Sequence, residues 1–285
     1  MLQVIHTGGS RMKPPNSIFG INTKEAQKRF EESVKKVKPA KAKKERKGKP
    51  LDTNVDKSTF VYIPQKDVYI GKREILYGEK WKETHYKLDE KGFFMPRIDV
   101  LMTHFMNVKE AAEGGRELYD RNGNSLQREE SRELWDYLSS TNRNQFGKIG
   151  KDKWCWTWLD ALFKKDKSGL YMITNHRVTM DGSGEKQLQG EKVPLDSYLK
   201  KDRVYTSLSF NDQGLPTTES SLTNYSQGEN IRYWHPVKNR VAGFVADSDR
   251  AGLGCLRGPS DRDGSLGVFP CAEGTRAKNT AGGTK

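Results

Sequence analysis

The segment from Asn239 to Ala277 contains no lysine, although the chain as a whole carries a net charge of +13. It reads NRVAGFVADSDRAGLGCLRGPSDRDGSLGVFPCAEGTRA. Small or apolar residues alternate in it with Gly, Asp, Val and Leu, and successive side chains of an extended chain point to opposite faces. The segment therefore predicts an antiparallel hairpin with one face in the core.

The alternation assigns each residue of the hairpin to a face. A uniformly apolar set is expected to point inward: Ala242, Phe244, Ala246, Ala251, Leu253 and Cys255. A chemically mixed set is expected to point outward: Gly243, Val245, Asp247, Gly252, Gly254 and Leu256. After a turn-rich GPSDRDG, a third piece sets Leu266 and Val268 against Gly267 and Phe269.

The residues expected to face outward or to lie in loops share a coding property. Each type is reachable from an asparagine codon by changing only its adenines, and none is Lys, Glu, Gln, Met or Trp. An ordinary strand pair with a solvated face is the alternative interpretation. The candidate ligand-binding residues are Gly243, Val245, Asp247, Asp249, Gly252, Gly254, Leu256, Gly258, Asp261, Asp263 and Phe269.

The stretch NRVAGFVADSDRAGL, followed by SLGV, resembles the variable region of target proteins of diversity-generating retroelements, particularly of an archaeal and archaeal-virus branch. In that family a reverse transcriptase copies a template repeat into the end of the target gene with errors at adenines. The resemblance covers mainly the last third of the chain. It implies a C-type lectin fold of the formylglycine-generating-enzyme subtype and a binding protein with a constant framework and diversified contacts.

This resemblance implies a particular kind of ligand. Val245, Leu256 and Phe269 are expected to act as apolar anchors within a shallow, glycine-rich surface. Asp247, Asp249, Asp261 and Asp263 form a local acidic set, so a ligand that is partly basic or rich in hydrogen-bond donors is expected. Trp234 is expected to pack beneath the variable strands.

The N-terminal part of the chain has a different character. Residues 1–58 contain few aromatic residues and include the run KKVKPAKAKKERKGK from Lys35 to Lys49. This composition predicts a disordered basic tail, with a local helix from Thr23 to Lys36. The run either makes weak contact with nucleic acid or an acidic surface or serves as a solvated linker.

From Thr59 onward the patterns predict a folded α+β domain. FVYI and DVYI are strand-like, Ile98 to Met106 is apolar at helical or buried-strand spacing, and Ser131 to Ser139 predicts a helix. Trp154, Trp156 and Trp158 alternate in KWCWTWLDALF and are expected to be structural, with base or sugar stacking as the alternative. A further strand is expected from Gly169. The stretches from Asp181 to Lys192 and from Asn211 to Asn230 are predicted loops.

The motifs of several other functions are missing from the sequence. Cys255 and Cys271 either meet or remain buried apolar residues, and their spacing does not match the copper-binding pair of the formylglycine-generating enzyme. The lectin calcium motifs EPN, QPD and WND are absent. The histidines lack metal-ligand spacing, and hydrogen-bonded structural roles are expected for His85, His104 and His176. No catalytic residue, metal site or cofactor is therefore expected.

Taken together, these patterns predict a basic tail (residues 1–58), a C-type lectin-like domain (59–277) with its variable region at about 239–272, and a flexible C-terminus (278–285). The expected function is non-catalytic recognition of an unknown protein or surface ligand, on a virion or a host cell. No signal peptide or membrane span is seen. A formylglycine-generating oxidase and a basic nucleic-acid-binding protein are the alternatives.

Overall fold

The computed structural model describes residues 17–18, 21–22, 56–139, 154–247 and 249–274. The chain divides into two units, Met1–Lys47 and Gly48–Lys285. In the first unit, β1 (Ser17–Ile18) pairs antiparallel with β2 (Ile21–Asn22). The predicted helix from Thr23 to Lys36, the basic run from Lys35 to Lys49 and the C-terminal residues 278–285 lie outside the described residues.

The described residues of the larger unit form three α-helices: α1 (Trp81–Glu90), α2 (Ile98–Glu113) and α3 (Arg128–Ser139). Helix α2 ends at Gly114, whose φ of 87° is a left-handed conformation that glycine adopts without steric cost. Leu134 and Leu138 of α3 are buried, and Trp135 packs against Phe105 of α2 at 4.9 Å between ring centres. The predicted helix at Ser131 to Ser139 is confirmed.

The larger sheet contains eight strands, in the order β7-β6-β5-β10-β11-β9-β8, with β12 paired to β5. In chain order they are β5 (Cys155–Asp166), β6 (Gly169–Met180), β7 (Lys186–Pro194), β8 (Val204–Ser207), β9 (Asn230–Trp234), β10 (Val241–Asp247), β11 (Arg250–Arg257) and β12 (Leu266–Gly267). Neighbours along the path are antiparallel except β9 and β11, and β12 is parallel to β5.

A smaller sheet has the order β13-β4-β3. A 3-10 helix (Lys57–Thr59) leads into β3 (Phe60–Ile63), which is followed by β4 (Val68–Gly71), and β13 (Cys271–Glu273) comes from the end of the described chain. This pairing brings the segment after the variable region back to the start of the larger unit.

The core lies on both sides of the large sheet. One cluster joins helices α2 and α3 to the sheet, with Phe105 5.8 Å from Phe244 in an edge-to-face arrangement. A second cluster packs Trp81, Phe60 and Leu266 around Trp158 of β5. Helices and antiparallel strands thus form a mixed α+β fold, which confirms the predicted fold class at that level.

One predicted loop is wrong over most of its length, because Lys186–Pro194 forms β7. This strand lies at the edge of the sheet, and most of its side chains are exposed. Its polar residues therefore carry no apolar alternation, which is the signal on which a strand prediction depends. The predicted polar segment after Asn211 contains only isolated bridges before β9 begins at Asn230.

A candidate ligand-binding face on strands β10 and β11

The predicted hairpin lies inside the large sheet rather than at its edge. Strand β10 pairs with β11 on one side and with β5 on the other, and β11 also pairs with β9. Both strands therefore have ladder hydrogen bonds on both edges, and these bonds are made by the backbone. This arrangement holds the hairpin in place whatever side chains its exposed face carries.

The predicted inward residues form the inner face, which is Ala242, Phe244, Ala246, Ala251, Leu253 and Cys255. Each is at most 2% exposed. They belong to the cluster that packs against α2 and α3. The predicted alternation is confirmed for this face.

The outer face carries Gly243, Val245, Asp247, Gly252 and Gly254. Val245, Asp247 and Gly254 are half-buried. Leu256 is 38% exposed, and Asp249 is exposed at the turn between the strands. Val245, Asp247, Asp249, Gly254 and Leu256 therefore stand where a ligand could reach them.

Three predicted contact glycines are covered by neighbouring side chains. A Cβ on Gly252 would lie 2.8 Å from the carbonyl oxygen of Arg232 and 2.9 Å from the Trp234 ring. A Cβ on Gly243 would lie 3.2 Å from Cδ of Arg257, and one on Gly258 would lie 2.4 Å from Asp261 Oδ1. The prediction that these three glycines contact a ligand is wrong, because neighbouring side chains cover their backbone atoms.

Phe269 is also misplaced by the alternation, because it is 1% exposed and belongs to the core. Its backbone N–H donates to Thr157 Oγ1 at 3.3 Å, and its neighbour Val268 bridges to Ile75. The segment is thus enclosed on both faces, and strict alternation no longer separates core from solvent. Phe269 is unavailable as an anchor on the surface.

Aromatic and arginine side chains border the outer face on both sides and form its rim. The rim consists of Trp156, Tyr205, Arg232, Trp234, Arg250 and Arg257. The Arg250 guanidinium lies 5.7 Å from the centre of the Trp234 ring, and that of Arg257 lies 5.2 Å from Trp156. Arg232 lies 4.8 Å from Tyr205. These distances are those of cation–π pairs.

The position of Trp234 differs from the prediction. Its half-buried ring lies over Gly252 on the outer face, not beneath the variable strands. The register of β9 with β11 explains this position. Gly254 pairs with Trp234 and Gly252 pairs with Arg232, so Trp234 lies on the same face as these two glycines. Arg257 was missed for another reason: a register shift between Val241 and Gly243 places it opposite Val241 and over Gly243.

Trp154, which precedes β5, and Trp156 and Trp158 within β5 lie in different environments. Trp158 is completely buried, with its indole N–H donating to the Glu79 carbonyl at 3.0 Å, so its predicted structural role is confirmed. Trp156 pairs with Val245 and is half-buried beside Arg257. Trp154 is half-buried and precedes the strand.

The predicted acidic set divides into two kinds. Arg250 Nε lies 3.7 Å from Asp247 Oδ1 and 3.2 Å from Asp249 Oδ1, which forms a charged group at the hairpin tip. Burial, together with a hydrogen bond to the Asp249 side chain, raises the pKa of Asp247 to about 6. Asp261 and Asp263 instead accept hydrogen bonds from the backbone of their own loop, at Gly258 and Ser265.

The chain was compared with protein-family models, curated proteins and solved structures, and none of them matches it. Among the described residues, no helix is both long and apolar enough to cross a membrane.

Proposed function

We propose that this chain is a non-catalytic binding protein whose outer face is diversified by a retroelement for recognition of a receptor or host surface. The proposal includes a C-type lectin-like fold of the formylglycine-generating-enzyme subtype for the larger unit. It also includes display on a virion or a host cell. One observation carries it: adjacent residues of two central strands alternate between the core and a chemically mixed, partly exposed face.

The arrangement satisfies two requirements of a diversified binder. The framework must keep its packing when contact residues change, and here the inner face packs against α2 and α3 independently of the outer side chains. A binding face also needs a few anchors that can be desolvated by a partner. Trp234, Val245 and Leu256 supply apolar surface, while Arg232 and Arg250 supply hydrogen-bond donors.

The cysteines support a binding role over an oxidase role. Cys155, Cys255 and Cys271 are all buried and unbonded to one another. Burial raises the pKa of the Cys155 and Cys255 thiols, so the thiolate that a nucleophile or a copper ligand requires is disfavoured.

The decisive experiment is to sequence the gene in a population, together with its genomic neighbourhood. We expect a nearby reverse-transcriptase gene, a near-identical repeat that differs only opposite adenines, and substitutions concentrated at Val245, Asp247, Gly254 and Leu256. Ala242, Phe244 and Leu253 serve as matched controls from the same strands. Substitutions spread equally over both sets would reject the proposal.

The rim favours a second candidate function, which is binding of single-stranded nucleic acid. Aromatic and arginine side chains stack on bases, and about 1–3 kcal/mol per base is lost when such a side chain is truncated. Titration of a labelled oligonucleotide at several salt concentrations tests it, with Trp234→Ala as the variant and Tyr119→Ala, at an exposed aromatic residue outside the rim, as the control. Absence of salt-dependent affinity in the unmodified chain would exclude this function.

A further inference from the structure

Three ionisable side chains from three elements meet in the interior on the α1 side of the large sheet. His85 comes from α1, Asp160 from β5 and His176 from β6, and they are 4%, 2% and 7% exposed. One ligand atom from each lies within 4.8 Å of the others. His85 Nε2 is 3.7 Å from Asp160 Oδ1, and His176 Nδ1 contacts the same oxygen.

The local backbone is shaped to bring His176 to this place. The pairing of β6 with β7 shifts register between Thr174 and Arg177, and Asn175 has a left-handed φ of 54°. Such bulges change the direction in which a side chain of the strand points. Here the bulge also allows the His176 N–H to donate to Asp160 Oδ2 at 3.0 Å. One carboxylate thus receives both the backbone and the ring of His176.

The neighbours of the cluster are apolar or closely fitted. The Trp81 ring lies edge-on to both imidazoles, with ring centres 4.5 Å from His85 and 5.0 Å from His176. Gly190 of β7 lies against the other side of His176, where a Cβ would be 2.7 Å from its Nε2 atom. These contacts exclude solvent from the carboxylate and fix the orientations of both rings.

The donor atoms at this place are arranged around one carboxylate. Asp160 Oδ1 faces a ring nitrogen of both His85 and His176, and Asp160 Oδ2 accepts the backbone N–H of His176. The nearby Arg97 donates two hydrogen bonds to Asp99, at 2.8 and 2.9 Å, so its positive charge is already paired with that carboxylate and not with Asp160. A buried charge without compensation is costly.

We infer that His85, Asp160 and His176 form a binding site for a divalent transition metal, with Zn²⁺ as the best match and one further donor, such as a water molecule, completing its four ligands. Two imidazole nitrogens and one carboxylate oxygen are donors that Zn²⁺ binds at about 2.0–2.2 Å. Mg²⁺ and Ca²⁺ prefer oxygen ligands alone. The sequence did not predict this site, because its ligands are 75 and 16 residues apart (160 − 85 and 176 − 160) and meet only through the bulge.

The metal would attach α1 to the centre of the sheet. Helix α1 also contacts the sheet through Trp81, whose indole N–H donates to the Leu159 carbonyl at 2.8 Å, through Tyr86, which donates to the Lys186 carbonyl, and through the Glu90–Lys186 ion pair. A ligand that binds only the folded state stabilises it by mass action. Zn²⁺ should therefore raise the thermal unfolding midpoint of the full chain by about 5 °C or more.

The test uses the full chain purified without a histidine tag. The protein is stripped with a chelator, dialysed against one equivalent of Zn²⁺, freed of loose metal, and analysed by inductively coupled plasma mass spectrometry. We expect about one zinc per chain and the stated rise in unfolding temperature. Retention of less than about a tenth of an equivalent by the unmodified protein would overturn the inference.

Variants separate this site from adventitious binding. His85→Gln and Asp160→Asn should reduce retained zinc at least tenfold, whereas His104→Gln should not change it. His104 is a matched control because it is also a buried histidine, 1% exposed, outside the cluster. Unchanged zinc in His85→Gln would place the metal elsewhere and overturn the assignment. If that variant does not fold, the d–d absorption of Co²⁺ bound to the unmodified chain decides, and a spectrum without nitrogen ligation rejects the site.

Discussion

The inner and outer faces of β10 and β11 belong to the same two strands but differ in composition and in exposure. The inner face is apolar, closely packed and continuous with helices α2 and α3. The outer face combines glycines with Val245, Asp247 and the tryptophan and arginine rim. The role of a residue in these strands therefore depends more on the face to which its side chain points than on its place along the strand.

The difference teaches how stability and recognition can be kept apart. Strand pairing is made by the backbone, and the core takes only the inner side chains, so changes on the outer face should have small effects on folding. The separation is incomplete, however, because Gly243 and Gly252 lie under rim side chains. Four predictions test where the boundary between the two faces runs.

The largest effect is expected from a leucine pair in β11. Leu253 is fully buried and Leu256 is 38% exposed, although they are three residues apart in one strand. Leu253→Ala should lower the free energy of unfolding by about 2–5 kcal/mol, through lost transfer energy and a cavity. Leu256→Ala should lower it by less than about 1 kcal/mol. Urea denaturation measures both, and equal losses would contradict the two-face description.

The next effect concerns two glycines of the outer face. A Cβ at Gly252 would overlap the Arg232 carbonyl and the Trp234 ring, so Gly252→Ala should cost about 1–3 kcal/mol. At Gly254 the nearest atoms would be 3.8 Å away. Gly254→Ala should therefore be neutral or should stabilise by up to about 1 kcal/mol, because the unfolded chain loses entropy. Equal stability of the two alanine variants would show that the Trp234 ring and the Arg232 backbone can move away from Gly252 and that their packing is not rigid.

The sequence predicted the inner face because a hairpin with one face in the core must alternate strictly. It failed at Phe269 because enclosure between two layers depends on the later pairing of β13 with β4, which no local pattern records. It also failed at Trp234, because the face of this residue is set by the register between β9 and β11, which the local sequence does not record. The face to which a side chain points could thus be predicted where one side of the strand meets solvent. It could not be predicted where a second layer covers the strand.

A third prediction concerns the pH dependence of the hairpin tip. The pKa of Asp247 is raised to about 6 in the folded protein, from an ordinary value of 3.8. The folded state therefore binds the extra proton between about pH 4 and pH 6, and its stability falls as pH rises through 6. Asp247→Asn should remove this dependence and stabilise the protein at pH 8 by about 1 kcal/mol, a value reduced for solvent screening.

The measurement for Asp247 is urea denaturation of the unmodified protein and of Asp247→Asn at pH 5 and pH 8. The difference in unfolding free energy between the two proteins should be larger at pH 8. The same difference at both values would show that Asp247 titrates near its ordinary pKa. The Asp247 carboxylate would then be more accessible to water than its half-buried position indicates.

The smallest effect is expected at Asp249, the exposed end of the charged group. Its carboxylate lies 3.2 Å from Arg250 Nε, but an exposed ion pair contributes only about 0.2–1 kcal/mol and is screened by salt. Asp249→Asn should therefore change the unfolding free energy by less than about 0.5 kcal/mol at physiological salt. A loss above about 1 kcal/mol would mean that the hairpin tip is needed for folding, and a residue needed for folding is not free to be rewritten for recognition.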